Sequence, residues 1–377
     1  MDYLISGVVF FAIFSLLILI HEWGHFYAAR KAGVKIEEFG LGLPPRAKGL
    51  YTDKKGTLYS LNWIPFGGFV RMYGEDSGDP KMQSKEGSFS SKSLLARTLI
   101  ILGGVFMNFL LGFALLVVLF RVGIEPFILD RADFDYYRSQ GLIVAEDGVV
   151  VSDFVDGSAA ELAGLQRGDL VLEVSGSSIA SGKQLIDITQ SRANADIDLK
   201  INRSGQQILL RVPVDADGRM GVYISDFPEV KEIKKLQLSL PQAIVHAGSE
   251  TARLSWATMK MFVQVIFDLF TRFELSEQVS GPVGIASLTH HATQNGLIDV
   301  LKLIALLSIS LGAINVIPIP ALDGGRFLSI LFELVSRRRP NAMWEARIHA
   351  FGFVLLIVLI FAVTYQDIVR LITQWST

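Results

Sequence analysis

Residues Leu4–His25 read LISGVVFFAIFSLLILIHEWGH, an apolar run that ends on His21-Glu22-Trp23-Gly24-His25. A secretory signal peptide opens on a basic segment and closes at a small-residue cleavage site. This stretch opens Met-Asp-Tyr and runs straight into two histidines and a glutamate, so it is expected to stay in the chain as a membrane helix. The last five residues fit the pattern H-E-x-x-H. On a helix, positions i and i+4 share a face, so both imidazoles can reach one metal ion. Glu22 can approach water held at that metal without being a ligand, which is the position of a general base in peptide hydrolysis. Ionisable groups inside a span are costly and mark function. Histidines that merely capped the helix at the lipid headgroups would leave Glu22 between them without a purpose.

The rest of the composition agrees with a membrane protein. Half of the 377 residues are hydrophobic, and the mean hydropathy is +0.41. A net charge of −2 gives no sign of nucleic-acid binding. The chain has no cysteine, which excludes disulfides and thiolate metal sites, so a metal here must sit on His, Asp or Glu. Three further runs are long and apolar enough to span, near Leu99–Phe120, Leu301–Ile317 and Phe351–Val369. Leu254–Phe270 falls short, because Lys260, Gln264 and Asp268 recur every four residues as a polar stripe. It reads as a helix lying on the membrane surface or on the other spans.

Basic residues set the orientation. None precedes the first span, eleven lie between Phe26 and Ala96, and the connection between the last two spans includes Arg337-Arg338-Arg339. Both termini and the long segment of about 121–298 are therefore expected outside the cytoplasm. With the N-terminus outside, seventeen residues, or about 25 Å of helix, place the histidines in the cytoplasmic third of the bilayer.

The outer segment holds a soluble domain. From Gly148 the chain reads as a short β-unit, followed by a helix near Gly182–Arg192 and strands near Asp196–Ile201 and Gln207–Val212. Ser158–Asp169, SAAELAGLQRGD, resembles the central signature of PDZ domains. In bacterial PDZ domains of this type the strand beside the peptide groove comes last, which puts Met220, Gly221 and Val222 at the groove. The cytoplasmic loop alternates apolar residues around Lys54-Lys55-Gly56 and Gly67-Gly68, so a small hairpin or sheet dipping into the membrane face is expected.

A zinc hydrolase needs a third protein ligand and an open position. The candidate is Asp323, in Asn315-Val-Ile-Pro318-Ile-Pro320-Ala-Leu-Asp323-Gly324-Gly325. Two prolines break the third span near its cytoplasmic end, and broken backbone is tolerated there only beside protein or a water-filled cavity. The first and third spans run in the same direction, so Asp323 falls at the depth of His21 and His25.

HEWGH on a first span with NVIPIPALDGG on a later one resembles the site-2 protease family of intramembrane zinc proteases. The four spans, the PDZ-like insert and the loop Gly67–Glu75 (GGFVRMYGE) are similar to its bacterial branch, that of the regulator of sigma-E protease. The resemblance covers essentially the whole chain, and Gly281-Pro282-Val283-Gly284 matches a further family motif. It implies one zinc ion on His21, His25 and Asp323, Glu22 as base, and Asn315 as a substrate-holding residue. The β-loop, with Gly67, Gly68, Phe69, Val70 and Arg71, would bind extended substrate as an added strand. It further implies a bacterial inner-membrane protein acting on single-pass membrane proteins, such as anti-sigma factors or leftover signal peptides, after an upstream protease of the site-1 type. The best-known relatives carry two tandem PDZ domains, whereas this chain has room for one.

The expected fold is thus a polytopic α-helical membrane protein: four transmembrane helices, an inserted α+β PDZ domain and a small membrane-associated β-loop. The expected divisions are the first span at 1–27, the cytoplasmic loop at 28–96, the second span at 97–120, the PDZ domain at 121–226, a linker with amphipathic helices at 227–298, and the last two spans at 299–377. Two other functions are weighed. A non-catalytic PDZ scaffold has no need of the glutamate and all three ligands. A metal transporter wants several ligand clusters along a through-path, and there is one. His290-His291, His246 and His349 are given surface or packing places, and the apolar stripes of the second and fourth spans are read as lipid contact and packing.

Overall fold

The apolar run and the motif behind it form one unbroken helix, α1 (Asp2–Lys31), with Arg30 and Lys31 in its last turn, where basic side chains complement the helix dipole. The computed structural model describes residues 2–75, 85–225, 228–272 and 280–376. The chain forms two units, Met1–Val122 with Leu238–Thr377, and Gly123–Gln237. Among the described residues four helical segments are long and apolar enough to cross a membrane: Leu4–Lys31, Leu94–Val122, Leu297–Val316 and Met343–Arg370.

Two long antiparallel strands follow α1, β1 (Ile36–Thr52) and β2 (Leu58–Met72). Each pairs twice: residues 36–41 of β1 lie between residues 58–61 and 68–72 of β2, while residues 43–52 run beside 58–64. The turn between them is built by Asp53, whose carboxylate accepts from the backbone N–H of Lys55 and of Thr57. A 3-10 turn, Phe89–Ser91, leads into α2 (Leu94–Val122). Where α1 meets α2 the backbones touch. A Cβ on Gly24 would strike the carbonyl of Gly103, and one on Gly103 would lie 2.7 Å from the carbonyl oxygen of Gly24.

The inserted unit contains α3 (Arg131–Ser139), β3 (Ile143–Glu146), β4 (Val149–Phe154), α4 (Ala159–Leu162), β5 (Leu170–Val174), β6 (Ser177–Ser178), α5 (Gly182–Ser191), β7 (Asp196–Arg203), β8 (Gln206–Pro213), β9 (Val222–Ile224) and β10 (Glu229–Ile233). Its main sheet has the order β8-β7-β5-β4-β9, with β6 on β5, and β3 pairs separately with β10. The core is aliphatic, with Leu199, Ile201, Val171, Val174, Leu185 and Val212 among its buried members. Asp169 fixes one corner of the SAAELAGLQRGD stretch by its contacts. It is 1% exposed, takes both nitrogens of the Arg203 fork at 2.7 Å and accepts the N–H of Gln166, so it clips the turn after α4 to β7.

The chain then returns to the first unit. Helix α6 (Leu240–Thr271) starts at a capping box of Ser239 and Gln242. It packs on the long apolar helices: Thr258 shares a hydroxyl contact of 3.2 Å with Ser310, and Val265 packs with Leu359 and Val363. Residues from Leu238 onward thus group with the long apolar helices, not with the inserted unit. A separate helix, α7 (Pro282–Asn295), precedes α8 (Leu297–Val316), the break falling at Gly296 with φ +113°. Gly284 donates its N–H to Asp367 at 2.7 Å, and His290 Nδ1 meets Ser6 Oγ at 2.8 Å, so both tie α7 to its neighbours. Helix α9 (Asp323–Ser336) and the long α10 (Ala342–Ser376) complete the fold. Arg97 of α2 donates to Glu333 of α9 at 2.8 Å, both largely buried. Removing one partner of such a pair costs about 3–5 kcal/mol, so the ligand-bearing helix is firmly held to α2.

Candidate metal centre

Three donor atoms from distant parts of the chain meet at one point. His21 Nε2 lies 3.1 Å and His25 Nε2 lies 3.4 Å from Asp323 Oδ2, and the two imidazole nitrogens are 3.1 Å apart. Both histidines are buried. The buried Oδ2 of Asp323 meets no donor besides these imidazoles. Two nitrogens and a carboxylate oxygen suit zinc, and a tetrahedral zinc site has ligand–ligand edges of about 3.3 Å. The residues therefore fit the ion, and this is the only His/Asp/Glu group of that kind among the described residues.

Local structure explains the meeting. The helical period sets the two histidines one above the other on α1. Space for them comes from α2, where a Cβ on Gly104 would strike His25 Nε2 and come within 2.9 Å of His21 Cε1. Asp323 is the first residue of α9, where a helix N-terminus favours a negative charge. The turn before it folds tightly back, and a Cβ on Gly324 or Gly325 would strike the carbonyls of Ile317 or Ile319.

Each imidazole is also held from behind. His25 Nδ1 donates to the carbonyl of Ile100 at 2.9 Å, which leaves Nε2 unprotonated and available to a metal. His21 Nδ1 faces the Asn108 amide at 3.1 Å. Asn108 is completely buried, and its two amide ends occupy nearly the same volume. With Oδ1 turned toward His21 it accepts Nδ1–H and frees Nε2 in the same way. Asn108 was missed in the sequence, although a polar side chain in the middle of an apolar span is itself the signal. Replacing Asn108 by alanine is expected to weaken zinc binding about 10–100-fold, while Asn108→Asp, which keeps an acceptor, stays close to the parent. Competition with a chelator measures both, and an alanine variant of unchanged affinity would remove Asn108 from the site.

Glu22 turns to the β-loop. Its Oε2 accepts the backbone N–H of Val70 at 3.1 Å, on the edge of β2 opposite the 36–41 pairing. Gly67 and Gly68 allow this approach: added Cβ atoms would lie 3.0 Å from Ile18 and 2.9 Å from the carbonyl oxygen of Gly40. The Phe69 ring lies against Gly40, and Arg71 sits over that ring and 3.5 Å from Glu38. Asn315 lies in the last turn of α8 and donates to its own helix at Leu311 O. In the inserted unit Met220 is buried in the core, so its side chain does not line a groove, and the carbonyl of Gly221 is taken by Val155 N–H. Val222 opens β9, the sheet-edge strand beside α5.

Three donor atoms that could hold a metal ion, two of them from an H-E-x-x-H helix, point to a class, and the sequence as a whole agrees with it. Residues 9–359 match peptidase family M50, and the chain belongs to that family. It is a zinc metalloprotease of the site-2 type. The zinc metalloprotease RasP of Shouchella clausii is 27% identical, over 97% of this chain and 99% of its own. The Fusobacterium nucleatum protein FN1322 is 30% identical, over 98% of this chain and 99% of its own. The solved PDZ domain of an SdrC-like protein from Listeria monocytogenes is similar over 22% of this chain and 93% of its own, at 21% identity and a TM-score of 0.21.

Proposed function

We propose that this protein hydrolyses peptide bonds within the transmembrane segments of single-pass membrane proteins, with His21, His25 and Asp323 holding one zinc ion and Glu22 as general base. The observation that supports it most is the convergence of three donor atoms from α1 and α9, beside a glutamate, at the end of an apolar helix. Zinc, when bound, acidifies its water and polarises a carbonyl. Glu22 takes the proton of the attacking water and passes it to the departing amine. The Val70 N–H fixes the Glu22 carboxylate for that work. A substrate helix must open first, because its carbonyls are already hydrogen-bonded. Residues Gly67, Gly68, Phe69, Val70 and Arg71 lie on a strand edge that can take the opened backbone as a further strand, and Asn315 holds it from the side of α8.

By resemblance the substrates are anti-sigma factors or remnant signal peptides, trimmed first by a site-1-type protease, in a bacterial inner membrane. The basic residues put the β-loop in the cytoplasm and both termini and the insert outside. Cysteines introduced at Lys54 and Ser204 test this, since the chain has no cysteine of its own. In intact cells an impermeant thiol reagent should label the second and spare the first, and the reverse pattern inverts the orientation.

The inserted unit, as a PDZ domain, filters substrates by the size of their outer part. Deleting 148–225 should let the enzyme cut substrates whose outer domain is intact, with mass spectrometry locating the cut inside the span. An unchanged preference for trimmed substrate removes the filter, and cuts confined to soluble segments remove intramembrane cleavage itself. Gly221 makes a poor alternative test: it sits at φ +77°, and a Cβ there would lie 2.5 Å from Ser158 Cβ, so a bulky residue damages the fold before it blocks a groove.

A further inference from the structure

Ala321 stands two residues before Asp323 in a left-handed conformation, φ +77°, which side chains other than glycine rarely adopt. Something must hold it there. Its backbone N–H has no helical partner and donates instead to Nδ1 of His349, on α10, at 2.9 Å. One turn further along α10, Gly352 lies so close to the same turn that an added Cβ would strike the Pro320 carbonyl and come within 2.6 Å of the Pro320 Cβ. His349 and Gly352 are three apart and share a face of α10. They form a seat, one part acceptor and one part open space, for the segment Pro320–Ala321. Leu322 then enters α9 in extended conformation, and Asp323 begins the helix.

We propose that His349 is a positioning residue for zinc: by accepting the Ala321 N–H it holds the left-handed turn that aims the Asp323 carboxylate at His21 and His25. Gly352 gives that turn room. The bond of His349 is to the backbone two residues ahead of Asp323. Its effect passes through two residues of backbone, which makes the fourth span a determinant of the geometry of the third ligand. The bond requires Nδ1 to be the unprotonated nitrogen of a neutral imidazole. Asparagine carries a carbonyl oxygen at the place of Nδ1 and can accept in its stead, whereas leucine cannot. The strain itself sits at Ala321, and glycine there takes the same φ freely.

This inference rests on Asp323 as a zinc ligand, so the experiment carries Asp323→Ala beside the new variants. The full-length protein in detergent is titrated with zinc against a chelator, and helical circular dichroism and thermal unfolding are recorded for each form. His349→Leu is expected to lose about 10–100-fold in zinc affinity, with His349→Asn within a few-fold of the parent. Ala321→Gly is expected to change little alone and to restore part of the affinity in the His349→Leu background. Equal losses in the asparagine and leucine variants would mean that the imidazole acts by packing and would overturn the proposal. So would a leucine variant that binds zinc like the parent, or an Ala321→Gly substitution that gives no rescue. If Asp323→Ala binds zinc normally, the ligand assignment fails. If that variant loses zinc and His349→Leu does not, only the positioning role fails. A leucine variant that does not fold leaves the asparagine variant to decide: near-parental affinity supports the acceptor role, and a loss in the folded protein overturns it.

Discussion

Glu22→Gln is expected to abolish cleavage and leave zinc in place. A general base contributes about 10²–10⁴-fold, so turnover of a transmembrane substrate should fall by at least a hundredfold. Glutamine is the informative choice. Its side-chain carbonyl can still accept the Val70 N–H that Glu22 Oε2 accepts at 3.1 Å, so the β2 edge stays beside the centre and only the proton-accepting carboxylate is lost. Glu22→Ala removes both, and its larger loss would measure the strand contact. Metal analysis of the glutamine variant should give about one zinc per chain, as befits a residue that is not a ligand. A glutamine variant that cleaves at the parental rate would end Glu22's assignment as base.

The ligand substitutions should behave in the opposite way. His21→Ala, His25→Ala and Asp323→Ala each remove one of three donor atoms that lie 3.1–3.4 Å apart, and two ligands seldom retain zinc against a chelator. Each variant should lose metal and activity together. In Asp323→Ala the two imidazoles also lose the carboxylate that faces them, so added zinc should restore little. An Asp323 variant with full metal content and normal activity would move the third ligand elsewhere.

The residues proposed for this chemistry are legible because their pattern is local. H-E-x-x-H needs only the helical period, and the two prolines before Asp323 announce a broken helix. What could not be read depends on contacts between distant segments. The double pairing of β1 brings residues 68–72 to one side of 36–41 and 58–61 to the other, and alternation along a strand does not choose partners. Asn108 carries no role in the sequence reading and His349 only a surface or packing place, since nothing within their own helices says which neighbour they face. One is the outer partner of His21 and the other anchors the turn before Asp323. Helix α7 falls within the segment read as a linker with amphipathic helices, and Gly296 separates it from α8.

The contact between Gly24 and Gly103 bears on how anything reaches the centre. At the level of the histidines the two helices touch backbone to backbone, so no peptide can slide between them there. The second open position of the H-E-x-x-H pattern is accordingly not free in this chain: any side chain larger than hydrogen would act as a spacer and push α1 off α2. At this level α1 and α2 are closed to a peptide, and a substrate has to reach the centre from another side.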